Sequence, residues 1–182
     1  STGHGFSGLS RKRLLNIFHD RCRELGVKLV FEKEIPSPDA LPDADFILAA
    51  DGVNSRVREQ LAAHFEPSID WRKCKFCWLG ATKSLKAFTF IFKDTPHGLF
   101  QVHAYPFEEG LSTFIVECRE ETGKKAGLDK ASEADTGAFC EKLFAEYLDG
   151  HKLLTNRSVW RTFPTIRNKH WTYKNVLLVG DA

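Results

Sequence analysis

Residues 46–58 read FILAADGVNSRVR, and residues 175–182 read NVLLVGDA. Each is a continuous apolar run that ends in a glycine and an aspartate: Asp51–Gly52 in the first, Gly180–Asp181 in the second. An apolar strand without polar alternation is covered on both faces, as the strands of a parallel sheet are. In open α/β sheets, ligands bind beyond the carboxyl ends of such strands. Glycine there lets a ligand approach the backbone closely. A carboxylate there accepts hydrogen bonds from sugar hydroxyls, or caps a following helix. Taken singly, each aspartate reads as a cap or turn residue. Two of them, on two such strands, shift the balance toward a ligand rim.

The segments between these strands divide by texture. Ser10 is placed to cap a helix from Arg11 to Leu25, with Leu14, Phe18, Cys22 and Leu25 at helical spacing and Gly26 as its stop. VKLVF (27–31) reads as a strand, EIPSPDALPDAD (34–45) as a surface loop, and Ser55 to His64 as a second helix. After Pro67 come KFCWLGATKS (75–84), AFTFIFKD (87–94), LFQVHAYPF (99–107) and LSTFIVECR (111–119), separated by turn residues at Pro96–Gly98 and Glu109–Gly110. That is an antiparallel meander. SEADTGAFCEKLFAEYLDG (132–150) is an amphipathic helix, and SVWRTFPTI (158–166) is another strand. The expected fold is α/β: a layer formed by 1–66 and 168–182 closes around an inserted antiparallel sheet and helix at 67–167.

Composition narrows the function. The chain has 182 residues, 42% hydrophobic and 27% charged, an ordinary globular balance. A net charge of +2 is too small to argue for nucleic acid as a partner. The basic clusters at Arg11–Arg13 and Trp71–Lys75 read as solvated faces. No apolar run reaches the roughly 20 residues that span a bilayer, and no signal peptide is visible. The five cysteines, Cys22, Cys74, Cys77, Cys118 and Cys140, are odd in number and unpatterned. They suit reduced thiols, and the expected location is cytoplasmic, with no membrane partner. Cys74 and Cys77 form a C-x-x-C, but they fall in a strand, where residues three apart point to opposite faces. No metal site is expected.

DGVNSRVR (51–58) resembles the D-G-x-x-S-x-x-R motif of the class A flavoprotein monooxygenases, the para-hydroxybenzoate hydroxylase-like family. NVLLVGDA (175–182) resembles their second flavin motif, and LSRKRLLNIF (9–18) their Ser-Arg-x-x-Leu helix start. The three occur in the family's order. GHGFSGLSRKRLLNI, WLGATKSLKAFTFIF, HGLFQVHAYPF and STFIVE look like the aryl-CoA branch of that family, which works on salicylyl-CoA and 2-aminobenzoyl-CoA. The resemblance implies a Rossmann-like, glutathione-reductase-type FAD-binding layer with an inserted substrate sheet. It implies FAD contacts at Arg11, Asp51, Gly52, Arg58, Gly180 and Asp181. It also implies NAD(P)H as reductant of the flavin and oxygen transfer to an activated aromatic acid, with a homodimer as the full-length form.

Gly3, Gly5 and Gly8 spell G-x-G-x-x-G, the phosphate-binding fingerprint of dinucleotide folds. That fingerprint follows a strand, and only Ser1 and Thr2 precede Gly3. Its last glycine belongs inside a helix, whereas Ser10 caps a helix that starts later. The pattern is therefore expected to be a loop leading into that helix. Both ends of the chain read as cut, and the functional fingerprint is expected upstream. These 182 residues alone are expected to bind FAD weakly and to be inactive.

In FQVHAYPF, alternation puts Gln101, His103 and Tyr105 on one face and Phe100, Val102 and Ala104 on the other. The polar face is a candidate substrate wall, or a sheet face open to solvent. Phe88, Phe90 and Phe92 read as core. Arg72, Lys73 and Lys75 are available for the phosphates of a CoA thioester, though nothing selects them. No catalytic acid, base or nucleophile stands out. Two other readings stay open: a non-hydroxylating flavoprotein of the same fold, and a flavin-free substrate-binding or interaction module.

Overall fold

A computed structural model describes residues 5–182; Ser1 to His4, and with them Gly3 of the glycine pattern, lie outside the described residues. The chain splits into two compact units. One comprises the residues up to Lys28 together with Lys73–Phe163, the other Leu29–Arg72 with Pro164–Ala182. Residues 5–28 thus group with Lys73–Phe163, not with the segment that follows them.

The first unit opens with helix α1 (Arg11–Glu24), which Ser10 caps by accepting from the Arg13 amide at 3.4 Å. It closes where Gly26 adopts φ +71 and the amides of Gly26 and Val27 return to the carbonyls of Arg23 and Cys22. This is the paired capping pattern that a left-handed residue permits. No residue of α1 is buried, so its apolar stripe is left uncovered. The expected strand at 27–31 does not form: no ladder among the described residues takes it in, and Val30 and Phe31 are more than half exposed. An extended segment becomes a strand only where a neighbour completes its backbone hydrogen bonds.

The larger sheet has the order β3 (Thr89–Thr95), β4 (Gly98–Glu108), β5 (Leu111–Arg119), β2 (Pro67–Ala81), β6 (Leu153–Leu154), with β7 (Arg161–Asn168) also paired to β2. Its meander is antiparallel throughout. One face is sealed. Cys77, Leu79, Ile91, Phe100, Val102, Phe114 and Val116 pack with Leu128, Cys140, Phe144 and Leu148 from the helical segment. That segment comprises α4 (Glu120–Lys125), α5 (Glu133–Leu143) and α6 (Ala145–Leu148). Ser132 caps α5, accepting from the Asp135 amide at 3.1 Å.

The second unit holds a three-stranded sheet, β1 (Ile47–Ala49), β9 (Val176–Leu178) and β8 (Thr172–Tyr173), in that order. Strands β1 and β9 run parallel. The expected single helix at 55–64 is two, α2 (Arg56–Gln60) and α3 (Ala62–Phe65), with Ser55 capping the first. Phe65, Ala49, Val176, Leu178 and Ala182 form the core. Leu48 is exposed, so β1 is covered on one face and not on both as its apolar run predicts. Alternation turns Leu48 to the face away from the core formed by Ala49, Val176 and Leu178.

Candidate functional site

The parallel register sets Ile47, Leu48 and Ala49 against Val176, Leu177 and Leu178, and the Val179 amide extends it by donating to the Ala49 carbonyl at 3.0 Å. Both strands therefore deliver their glycine–aspartate pairs at the same end of the sheet. Gly52 and Gly180 have φ of +87 and +66, a backbone that L side chains rarely adopt. A Cβ at either would meet nothing within 4 Å. The rim is thus left-handed in its backbone and open in front of it.

Asp51 and Arg58 hold this rim in shape. One Asp51 carboxylate oxygen accepts from the amides of Arg56 at 2.8 Å and Val57 at 3.2 Å. Burial pushes the Asp51 pKa up. Bonds from the Ser55 hydroxyl and from the amides of Val57, Asp51 itself and Arg56 outweigh that, leaving it below the ordinary aspartate range. Arg58 is only 5% exposed. Its guanidinium donates to the carbonyls of Val53 at 2.5 Å and Asp181 at 3.4 Å, tying the two glycine-bearing loops together. Asp181 and Gly180 themselves are exposed. Beside Asp51, an open cleft of about 520 Å³ runs along β1, lined by Ile35, Leu48, Asn54 and Arg56 among others. Arg56 also pairs with Glu34 across this cleft.

The remaining candidates lie in the first unit. Arg11 is the first residue of α1 and is exposed. Gln101, His103 and Tyr105 are half-buried on the sheet face opposite the helices, while Phe100, Val102 and Ala104 are sealed beneath them. The open face carries rows set by the register. Phe92, Gln101, Glu117 and Phe76 form one row, and Phe90, His103, Ile115 and Trp78 the next. Phe90 and Phe92 are 65% and 62% exposed, which corrects their reading as core. The strand's core residue is Ile91, and period-two alternation sends its neighbours to the open face.

Three aromatic rings gather around this wall. Phe88 stacks on Tyr105 at 5.3 Å between centroids, and Phe6 meets both edge-on at 5.0 and 5.1 Å. Phe6 belongs to the glycine-rich segment. Gly8, two residues on, lies so close to β4 that a Cβ would stand 2.1 Å from the Pro106 carbonyl oxygen. The last glycine of the pattern therefore serves close backbone packing. Ser10 caps a helix that begins only at Arg11, as expected of a loop leading into it.

Glu117 was not legible as a site residue. It receives a hydrogen bond from Gln101 Nε2 at 2.5 Å, and its other oxygen lies 3.5 Å from His103 Nδ1. Of the C-x-x-C pair, Cys74 is exposed and Cys77 fully buried. Arg72 is occupied by Thr165 at 2.7 Å and Asp70 at 3.6 Å.

Residues 12–182 match the FAD binding domain family. Salicyloyl-CoA 5-hydroxylase of a Streptomyces species is 38% identical over 99% of this chain and 36% of its own length. The 3-hydroxy-4-methyl-anthranilyl-(aryl-carrier protein) 5-monooxygenase of Streptosporangium sibiricum is 37% identical over 96% of this chain and 45% of its own. The chain thus spans less than half the length of these curated relatives. Among solved structures, the tetrameric form of 2-methyl-3-hydroxypyridine-5-carboxylic acid oxygenase superposes with a TM-score of 0.68 at 19% identity. That match covers 95% of this chain and 50% of the other, a likeness of fold.

Proposed function

The chain belongs to the FAD binding domain family, and from that membership we propose that it is part of a flavin-dependent monooxygenase that hydroxylates an activated aromatic acid carried as a thioester. FAD is its cofactor, and NAD(P)H and oxygen are co-substrates. Two curated relatives are named for aryl groups held on CoA or on an aryl-carrier protein, which supports the thioester. In this reading residues 1–66 and 168–182 carry the FAD-binding part, and 67–167 the substrate sheet. The full-length form is a homodimer.

The observation that carries this reading is the parallel β1–β9 pair, with an open, left-handed glycine at the end of each strand. That rim fits a flavin nucleotide. Gly52 and Gly180 leave room for it at the backbone, and the exposed Asp181 offers a carboxylate to hydroxyl groups. Asp51 and Arg58 act mainly by fixing the loops, since their polar atoms already hold main-chain partners. The likeness of LSRKRLLNIF to the family's Ser-Arg-x-x-Leu helix start supports a role for Arg11 at the FAD ribose or pyrophosphate. When bound, the flavin supplies reduction by NAD(P)H and activation of oxygen. The chain's own residues bind it, orient the ring substrate on the wall of Gln101, His103 and Tyr105, and exclude water.

The test is made on the full-length protein loaded with FAD. Salicyloyl-CoA is expected to accelerate NAD(P)H oxidation and to yield a product heavier by one oxygen. Faster oxidation without hydroxylated product favours a non-hydroxylating flavoprotein, and no FAD uptake at all favours a flavin-free module.

A further inference from the structure

The aromatic wall carries a carboxylate that the motifs do not assign. Glu117 sits between Gln101 and His103, one carboxylate oxygen for each. All three side chains share the open face, because Glu117 stands directly opposite Gln101 in the β4–β5 register. An ionised carboxylate only accepts hydrogen bonds. The amide of Gln101 must therefore turn its NH2 toward Glu117, which leaves its Oε1 as the outward atom. The same argument applies to His103. In the neutral imidazole, a lone pair on Nδ1 facing a carboxylate oxygen 3.5 Å away is repelled, so that form carries its hydrogen on Nδ1 and its lone pair on Nε2. One carboxylate thus fixes two neighbours as acceptors.

We propose that Glu117 is a positioning residue that presents Gln101 Oε1 and His103 Nε2 as a pair of hydrogen-bond acceptors, so that this wall selects an aromatic ring bearing a donor, a hydroxyl or an amine. The apolar surroundings give the selection its force. Phe88 and Phe90 approach the His103 ring at 6.2 and 6.5 Å between centroids, and Ile115 beside it is buried. An aromatic ring seated there excludes water from the two acceptors, and a ring without a donor leaves them unpaired at a cost. The proposal rests on the reading of this face as the substrate wall.

The experiment has two arms, both on the full-length, FAD-loaded protein. The first compares dissociation constants for 2-hydroxybenzoyl-CoA and 2-methoxybenzoyl-CoA by equilibrium dialysis. The unmodified protein is expected to prefer the hydroxylated ring by about tenfold, the scale of one buried hydrogen bond. Glu117→Gln, of nearly equal size, is expected to bring the ratio close to one, because its own amide makes both neighbours free to turn. An unchanged ratio in Glu117→Gln overturns the proposal. The second arm reads the ring nitrogens of His103 by 15N NMR and needs no aryl ligand. The unmodified protein is expected to show hydrogen on Nδ1, and Glu117→Gln a mixture of tautomers. Hydrogen on Nε2 in the unmodified protein overturns the proposal. If neither thioester binds while the tautomer shifts as expected, the thioester reading fails and the positioning by Glu117 stands.

Discussion

Gly8 lies against the carbonyl oxygen of Pro106, at the irregularity that interrupts the β4–β5 ladder between Pro106 and Glu108. The contact explains why a residue without a side chain stands there, and it seats Phe6 on the wall beside Phe88 and Tyr105. Gly8→Ala is expected to lower stability by about 1–3 kcal/mol, because the added methyl must displace backbone rather than a flexible side chain. Gly5→Ala, where nothing lies within 4 Å, is the control and is expected to be near neutral. Urea unfolding of the two variants checks both.

Arg58 is a buried cation whose bonds go to two main-chain carbonyls from loops far apart in sequence. Arg58→Met keeps much of the packing and removes the donors. A loss of roughly 1–3 kcal/mol is expected, from carbonyls left without partners. FAD affinity of the full-length protein is expected to fall with it, read by flavin fluorescence titration. Full FAD affinity in a folded Arg58→Met variant rules out the clamp as a part of the cofactor site.

Asp51 makes stability depend on acid. Its pKa is depressed in the folded chain, so its ionised form contributes stability above the unfolded value of about 3.9. That contribution is lost as pH falls through the folded value. The stability difference between the unmodified protein and Asp51→Asn is therefore expected to be constant from pH 7 to 5 and to shrink below about pH 4. Denaturant titrations at a series of pH values measure it.

Burial pushes the thiols of Cys77 and Cys118 up to about 11, and that of Cys140 higher still. Thiolate is the reactive form, so these three are expected to resist iodoacetamide at pH 8 while exposed Cys74 reacts. Mass spectrometry of the folded and the denatured protein distinguishes the sets. Rapid labelling of Cys140 in the folded protein would show the core to be open.

The α/β rim was legible because its signals are local. A run of apolar residues, a glycine and an aspartate need no distant partner to be recognised. The alternation in FQVHAYPF likewise set the two faces of β4 correctly. The strand expected at 27–31 and the second covered face of β1 were not met, because both depend on neighbours that the local pattern does not encode. Glu117 was hidden by a subtler effect. Near the turn, Glu108 faces Leu111, and that register carried straight back would set Gln101 against Cys118. The irregularity shifts the pairing by one residue, so Gln101 meets Glu117 and Cys118 turns into the core. A single unpaired residue thus decides which side chain joins the acceptor pair, and its position is not written in the alternation.

The antiparallel sheet has one sealed side and one bare side. Within β4, Phe100, Val102 and Ala104 are fixed by packing on the sealed side, whereas Gln101, His103 and Tyr105 stand on the bare one. If the open face is the substrate wall proposed above, single exchanges at 101, 103 and 105 would change which ring is admitted while the sealed residues Phe100, Val102 and Ala104 stay in place.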